Sequence, residues 1–513
     1  MTMYPGDPQA RAISSPAVVM TGSGAALSWT ELDEKSTQLA NYWRQLGLTV
    51  GDHVACLLDN SLEVPIVYWA AERSGLYFTP INSHLTAGEV AFILENCTAR
   101  SLITNERLWS VAKEALSKAP PVPSVLVVSA TSNDVLDFHA TLNGQSSQPL
   151  EADIAGGAMV YSSGTTGTPK GVIRPLSGLQ PGEFFGMSMA LKMAFGTERT
   201  IRYLSTAPMY HSAPIDFAMG IHRLGGTLFI MERFDAEEAL RAIEHYRITH
   251  SQWVPTMFSR LLRLDEATRL SYDISSLEYA IHGAAPCPIP LKRAMIEWFG
   301  PIIWEYYAGT DGGGSTTVSS PEWLARPGTV GRMLGGTLHI CDDEGDELPV
   351  GQSGTIYFDN PNARPFHYFG DEAKTASSRS TQGWTTMGDV GYLDDEGYLF
   401  LTDRKAFTII SGGVNVYPQE AENVLAMHPD VADVAVFGIP HSDLGEVPHA
   451  VIQLVPSAIA SEQLSTALLS YCREQLATIK CPRTLEFIEE MPRLPTGKLY
   501  KQRLKDRHWP PSS

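Results

Sequence analysis

Tyr161-Ser162-Ser163-Gly164-Thr165-Thr166-Gly167-Thr168-Pro169-Lys170-Gly171-Val172 is the stretch on which the reading of this chain turns. Five hydroxyl side chains surround three glycines, and a lysine stands near the end. The apolar lead-in Ala158-Met159-Val160-Tyr161 predicts a strand, so the polar run is the loop leaving its end. Glycines let backbone N–H groups approach a ligand and turn together, hydroxyls add donors, and Lys170 adds a positive charge. Those are the parts of a phosphate cradle, with Ser162, Ser163, Gly164, Thr165, Thr166, Gly167, Thr168 and Lys170 as its members. The spacing is not G-x-x-x-x-G-K-[ST], which separates it from a P-loop. A flexible Gly/Ser/Thr linker, the plainer alternative, needs neither the Pro-Lys-Gly ending nor a preceding strand.

Outward from this loop the chain alternates strands and helices. Ser28-x-x-Glu31 is a capping box that opens a helix with Leu32, Leu39, Trp43 and Leu46 on one face, ended by Gly47. Strands are expected at Val54–Leu58, Tyr77–Pro80, Ser101–Thr104 and Val125–Val128, with helices entered near Pro65 and at Thr86-x-x-Glu89. Past the loop the same alternation returns, with strands at Ile201–Ser205, Thr227–Met231, Thr249–Val254 and Leu277–Ile281. Asp235–Tyr246 and Cys287–Phe299 are the helices between them. This pattern predicts a mostly parallel, doubly wound α/β sheet. From about Gly335 short apolar runs separated by Asp/Gly turns predict a small β-rich lobe. After Asp403-Arg404-Lys405 the texture becomes α+β. A boundary here gives domains 1–403 and 404–513, the second of about 110 residues, a normal domain size.

Bulk composition narrows the class. At 513 residues, 43% hydrophobic and 19% charged, the chain is an ordinary globular protein with ample core. Its formal charge of −19 argues against a general nucleic-acid or anionic-membrane binder. Six scattered cysteines without C-x-x-C spacing imply reduced, buried thiols in the cytoplasm rather than zinc or disulfides. No apolar run approaches ~18 residues, so no integral membrane association is expected. The first residues lack a secretory pattern and the last lack Ser-Lys-Leu.

Further segments carry chemistry. Tyr307-Ala308-Gly309-Thr310-Asp311 follows an expected Ile302–Tyr306 strand, and a hydroxyl and a carboxylate there can contact a phosphate and hold Mg²⁺. His282-Gly283-Ala284-Ala285-Pro286 leaves room for a flat ring, although close helix–strand packing explains small residues equally well. Asp389 and Arg404 taken singly are ordinary surface charges. Lys498 taken singly is a tail lysine.

Together these motifs resemble, over nearly the whole chain, the adenylate-forming superfamily of acyl- and aryl-CoA synthetases, peptide-synthetase adenylation domains and beetle luciferases. The resemblance implies a large N-terminal domain of doubly wound mixed sheets plus a β-rich lobe, and a small mobile α+β C-terminal domain. It implies that the loop from Ser162 to Lys170 holds the pyrophosphate end of ATP, and that Gly283, Ala284 and Ala285 line adenine while Tyr307 stacks on it. Thr310 then contacts the α-phosphate and Asp311 serves Mg²⁺. Ala308 and Asp311 replace the family's Gly and Glu, and the shorter Asp311 suits metal contact through water. Asp389 and Arg404 bind ribose. Lys498 bridges the attacking carboxylate and the α-phosphate, where a mobile cation offsets the repulsion of two anions. Gly412 and Gly413 line the pantetheine tunnel of coenzyme A. The hinge position is Ala406, where many relatives carry Asp or Lys. His211 gates the acyl pocket where amino-acid-activating relatives place an Asp, so amino acids are not the expected substrates.

The expected activity is an ATP- and Mg²⁺-dependent acyl-CoA ligase acting through an acyl-adenylate. Its partners are a carboxylic acid, ATP and CoA, with no nucleic acid, and a homodimer is left open. By resemblance Gln252–Thr256, Ile281–Gly283 and Gly309–Gly314 line the acid pocket. Their glycines point to a hydrophobic acid, with room for a bulky one. The alternative acceptor is the pantetheine arm of a separate carrier protein. A luciferase-like oxygenase ranks third, and a non-catalytic nucleotide-binding module is disfavoured by the presence of Thr310, Asp389, Arg404 and Lys498.

Overall fold

The structure is a computed structural model that describes residues 2–132, 134–150, 154–162, 169–183, 188, 191–192, 200–404, 407–411, 414–493 and 499–509, with the backbone alone at 162, 403, 404 and 415. It is a mixed α/β fold, with a large sheet-rich N-terminal part and a smaller C-terminal part.

Two sheets dominate the N-terminal part. The first is six-stranded and parallel, in the order Leu136–Asp137, Ser124–Val128, Ser101–Asn105, His53–Leu57, Tyr77–Pro80 and Gly157–Ala158. Its central strands read as continuous apolar runs because both faces are covered. Val54 and Cys56 enter the core that contains Trp43 and Trp69, while Ala55 and Leu57 enter the core of Leu94 and Leu102 on the other face. The covering helices start where the sequence places them. Ser28 Oγ accepts from Glu31 N–H at 3.2 Å, and Glu31 Oε2 accepts from Ser28 N–H at 2.8 Å. Thr86 and Glu89 repeat the arrangement. Each box satisfies two N–H groups that a helix start would otherwise leave bare.

The second sheet has thirteen strands and changes character along its width. From Val18–Met20 through Thr227–Ile230, Arg202–Ser205, His250–Trp253 and Tyr279–His282 to Ile303–Ala308 every pairing is parallel. Beyond Ile303–Ala308 every pairing is antiparallel, through Ser315–Val318, Thr329–Met333, Leu399–Arg404, Asp389–Leu393 and Gly354–Asp359 to Thr337–Cys341. The β-rich lobe expected from Gly335 onward is therefore an extension of this sheet, not a separate layer. Gly331 makes the join. Its φ of +95° and the approach of Thr317 O to 1.9 Å of where a Cβ would stand admit glycine alone.

Helices Glu63–Arg73 and Ser212–Arg223 meet in the layer between the sheets. There Trp69 Nε1 donates to His222 Nδ1 at 3.0 Å, and Arg223 pairs with the buried Glu72. A three-stranded sheet, His367–Tyr368, Lys170–Ile173 and Val160–Ser162, lies alongside. The C-terminal part is a five-stranded sheet whose long hairpin, Val431–His441 with Gly445–Leu454, is flanked by Ile409–Ser411, Val414–Val416 and Thr484–Ile488. Helices Pro418–Leu425 and Glu462–Arg473 pack together there. Among the described residues no helix is long and apolar enough to cross a membrane.

One buried charge pair braces the second sheet. Lys292 Nζ lies 2.6 Å from Glu305 Oε2 and 4.7 Å from the centre of the Trp323 ring, and Lys292 is fully buried. His282 Nε2 is 3.6 Å from the same carboxylate, but burial holds that imidazole neutral, so Lys292 supplies the counter-charge. Removing one member of a buried pair strands the other. Lys292→Met is expected to lower stability by about 3–5 kcal/mol, and the double change Lys292→Met with Glu305→Leu to recover most of it. Urea unfolding of the three proteins measures this, and a double variant no better than the single one contradicts it.

Candidate functional site

The polar loop leaves the strand Val160–Ser162 and returns as the strand Lys170–Ile173, antiparallel to it, with Ser162 opposite Lys170 and Tyr161 opposite Gly171. The loop is thus framed by a hairpin, and Lys170 stands at the first position of the returning strand. Gly171 has no room for a side chain, because a Cβ there would meet Met159 Cε at 2.2 Å. Tyr161 hydroxyl donates to Asn96 Oδ1 at 2.6 Å and fixes the outgoing strand to a neighbouring helix. Ser163, Gly164, Thr165, Thr166, Gly167 and Thr168 lie outside the described residues, as does the side chain of Ser162.

Arg174 follows directly. Its Nη1 donates to Thr310 O at 3.2 Å and its Nη2 to Gly312 O at 3.1 Å, so this guanidinium holds the Gly309–Gly314 turn against the hairpin. Burial pulls its pKa down, with Asp216 acting in the opposite direction. The turn joins two antiparallel strands at the pair Ala308–Ser315. Tyr307 and Ala308 therefore belong to the strand, two residues beyond its expected end, and Thr310 and Asp311 to the turn. Asp311 accepts from the hydroxyl of Tyr368, on the strand beside Lys170–Ile173, and its other oxygen carries no hydrogen bond among the described residues.

The turn presses on the segment that leads to Asp389. Side chains at Gly309 and Gly313 would strike Met387 Sδ at 2.2 Å and Thr385 Oγ1 at 2.0 Å. Tyr307 hydroxyl donates to Asp389 Oδ2 at 2.7 Å, which fixes the ring and the carboxylate together. Asp389 and Arg404 are partners across the ladder of Asp389–Leu393 with Leu399–Arg404. The side chain of Arg404 lies outside the described residues. Gly283 sits behind Tyr306, whose ring and carbonyl leave no space for a Cβ, and Ala284 takes a left-handed φ of +69°. Of the four non-glycine residues with positive φ among the described residues, Ala284 is the one that lines the cavity.

These groups face one cavity of 2530 Å³, lined by Lys170, Arg174, Ala284, Tyr307, Asp311 and Asp389 among others. Thr310 and Ala285 also line it; Gly283 does not. His211 enters it as the residue capping helix Ser212–Arg223, its ring 4.5 Å from that of Tyr210. One turn along that helix, Asp216 opens on the same space and accepts from Ser212 Oγ at 3.1 Å. Burial pushes the Asp216 carboxyl up to about 6, while Arg174 and Ser212 pull it down. Gln252 Nε2 donates to the hydroxyl of Tyr306 at 3.1 Å nearby. The C-terminal part contributes Gln419, Asn423 and Lys501 to the lining. Lys498, Gly412 and Gly413 lie outside the described residues. Arg493 and Leu499 form a bridge flanking the first of these, and Ser411 pairs with Val414 around the other two.

Arg174, Tyr368 and Asp216 are absent from the sequence reading. Nothing in the pattern marks Arg174 or Tyr368, since their partners are more than fifty residues away in the chain. Asp216 carried a signal, a lone carboxylate among Pro214, Ile215, Phe217, Ala218 and Met219 on a buried helix.

A family model described as AMP-binding enzyme matches residues 7–365, and one described as AMP-binding enzyme C-terminal domain matches residues 420–498. The 2-succinylbenzoate–CoA ligase of Bacillus licheniformis is 30% identical over 93% of this chain and 94% of its own. The fatty acid–[acyl-carrier-protein] ligase ScoC of Streptomyces coeruleorubidus is 31% identical over 97% and 94%. Among solved structures, the o-succinylbenzoate CoA synthetase of Bacillus subtilis, in complex with its acyl-adenylate intermediate, superposes with a TM-score of 0.81 at 26% identity, covering 97% of each chain.

The raised carboxyl of Asp216 has a measurable consequence. Its ordinary value is 3.8, so between that and about 6 the unfolded chain releases a proton that the folded chain keeps. The contribution of this group to stability is complete below the lower value and is lost as pH rises through the upper one. The melting temperature of Asp216→Asn relative to the native chain is therefore expected to rise across this window and to level off above it. An offset independent of pH contradicts the assignment.

Proposed function

The chain belongs to the AMP-binding enzyme family, and from that premise we propose that it is an ATP-dependent ligase that activates a hydrophobic carboxylic acid as its adenylate and transfers the acyl group to coenzyme A. The observation that carries this reading is the convergence of Tyr161 and Lys170 at the two feet of the polar loop, the Thr310–Asp311 turn and Asp389 on one cavity, locked together by Arg174 and by the Tyr307–Asp389 hydrogen bond.

In the first half-reaction a carboxylate oxygen of the acid attacks the α-phosphorus of ATP. The bond to the bridging oxygen breaks and pyrophosphate leaves with its electron pair. The hairpin and Lys170 take the charge of the leaving group, as backbone N–H groups and a lysine do in other phosphate cradles. Tyr307, its hydroxyl occupied by Asp389, presents a fixed ring to adenine opposite Ala284 and Ala285, with Gly283 behind them. Asp389 and Arg404 hold the ribose, Thr310 the α-phosphate, and Lys498 bridges the two anions that must meet. Asp311 fits Mg²⁺, because Tyr368 occupies one carboxylate oxygen and leaves the other for a hard cation. When bound, the metal supplies charge neutralisation to the phosphates. In the second half-reaction the thiol sulfur attacks the acyl carbon and AMP leaves.

Residues 404–513 act as a mobile lid, carrying Lys498 for the first step and Gly412 and Gly413, beside the thiol path, for the second. The acid lies between His211, Asp216, Gln252 and Tyr306. Phe217, Ile281 and Trp304 supply apolar walls, so a long-chain, aromatic or polycyclic acid fits, with Asp216 and Gln252 as polar points. A role in fatty-acid-type metabolism in the cytoplasm follows, in keeping with six free cysteines. Because one relative is named as a carrier-protein ligase, a pantetheine arm on a separate protein is the second acceptor to test.

Two variants separate the steps. Lys498→Ala is expected to lose adenylate formation by about 10²–10³-fold, the scale of one lost electrostatic contact in a transition state. It should still convert supplied acyl-AMP and CoA to thioester. Gly413→Leu is expected to release pyrophosphate and to fail in thioester formation. Pyrophosphate release and thioester yield, after circular dichroism confirms folding, report each step. Equal loss of both steps in both variants overturns the moving-lid mechanism, and a native protein that makes acyl-AMP but never acyl-CoA transfers the case to the carrier protein.

A further inference from the structure

A second group of ligand-type side chains lies in the C-terminal part, outside the lining of the cavity. His449 comes from the strand Gly445–Leu454, Glu486 from its parallel neighbour Thr484–Ile488, and His508 from the turn after the helix Lys501–Lys505. One donor atom of each lies within 4.8 Å of the other two. Three elements, separated by up to fifty-nine residues of chain, bring two imidazoles and a carboxylate to one point.

The details favour a ligand over a packing accident. His449 is only 5% exposed, and its Nε2 is buried without a hydrogen-bond partner. Its other nitrogen, Nδ1, sits 2.7 Å from Thr484 Oγ1, which fixes the ring. The Nε2 of His508 is likewise buried and without a hydrogen bond, 3.5 Å from Glu486 Oε1. The two imidazole centres are 4.7 Å apart, and Phe437 packs 5.6 Å from each. A buried polar nitrogen with no partner is costly, and two that converge beside a carboxylate share one remedy.

We propose that His449 Nε2, His508 Nε2 and Glu486 form a Zn²⁺ site with its fourth position open to water. Two imidazole nitrogens and one carboxylate oxygen form a borderline donor set that suits zinc and does not suit Mg²⁺ or Ca²⁺. Zinc bonds of about 2.0–2.2 Å place tetrahedral ligand atoms close to the His508–Glu486 separation already present. Closing the rest of the gap needs rotation of Glu486 and His508 alone, both partly exposed, onto the fixed ring of His449. The hydrogen bond from Nδ1 to Thr484 is the outer contact that selects the metal-binding tautomer. Bound there, the ion ties the last turn of the chain to the sheet. The segment containing Lys498 runs between Glu486 and His508, so both of its ends are anchored near the ion. This inference does not depend on the ligase reading.

The full chain, stripped with a chelator and dialysed, is titrated with Zn²⁺ by calorimetry and with Co²⁺ by visible absorption. One ion per chain and a tetrahedral cobalt spectrum are expected. Affinity should fall by more than about 100-fold in His449→Gln, and by about 10–100-fold in Thr484→Val, the range for losing an outer contact. Glu486→Gln, at a half-exposed position, keeps the fold and should weaken binding as well. Absence of stoichiometric binding overturns the site, and so does binding as strong as that of the native chain in both Glu486→Gln and His449→Gln.

Discussion

A single guanidinium holds two walls of the cavity in register. Arg174 leaves the hairpin strand and spans the backbone carbonyls of Thr310 and Gly312, two points of a turn that belongs to a different sheet. Arginine suits this position because its planar fork reaches two acceptors at once and stays charged when buried. The turn has no regular ladder of its own to define it. Its shape comes from this fork on one side and from Thr385 and Met387, packed where glycine side chains would be, on the other. Tyr368 adds a third tie through Asp311. The strand Lys170–Ile173, the Thr310–Asp311 turn and the Asp389 strand are therefore tied to one another.

Charge is distributed to suit this arrangement. The chain as a whole is strongly acidic, yet Lys170 and Arg174 face the cavity, and Arg223 lines it while paired with the buried Glu72. The lining as a whole is mixed in charge, since Glu89, Asp216, Asp311 and Asp389 face the same space, so Lys170 and Arg174 offer an anion a local place to bind within an acidic protein. Asp216 is a carboxylate of this lining that burial holds toward its neutral form. Its carboxylate interacts with the Arg174 guanidinium, so a negative and a positive group lie within reach of one another inside the cavity.

Much of this was legible in the sequence for identifiable reasons. Capping boxes at Ser28 and Thr86, glycine at Gly47 and apolar runs such as Val54–Leu57 are local signals, and they placed the elements they mark to within two or three residues, whereas helices Trp109–Lys118, Ser212–Arg223 and Pro255–Leu262 and the strand Val18–Met20 were not read. The family motifs located the cavity because glycine, hydroxyl and charged residues recur there in fixed order. What escaped were contacts between distant segments. The fork from Arg174, the hydroxyl of Tyr368 and the Lys292–Glu305 pair have no neighbours in sequence that announce them. The continuity of the antiparallel strands with the parallel sheet was also hidden, since it depends on how closely Gly331 approaches Thr317. The expected end of the strand before Tyr307 fell short for a related reason. The pairing of Tyr307 and Ala308 with Thr316 and Ser315 extends it beyond the apolar run.

The left-handed backbone at Ala284 bears on how such a pocket can change over time. An L-residue in that conformation gives up about 1–2 kcal/mol that glycine would keep. Selection for folding alone would favour glycine or asparagine at this point. The methyl group held there against that gradient is part of the cavity wall, so its backbone cost is borne where a bound molecule would touch it. Lineages that shift to a different ligand are free to release this strain, so position 284 is a place where specificity and stability are exchanged for one another.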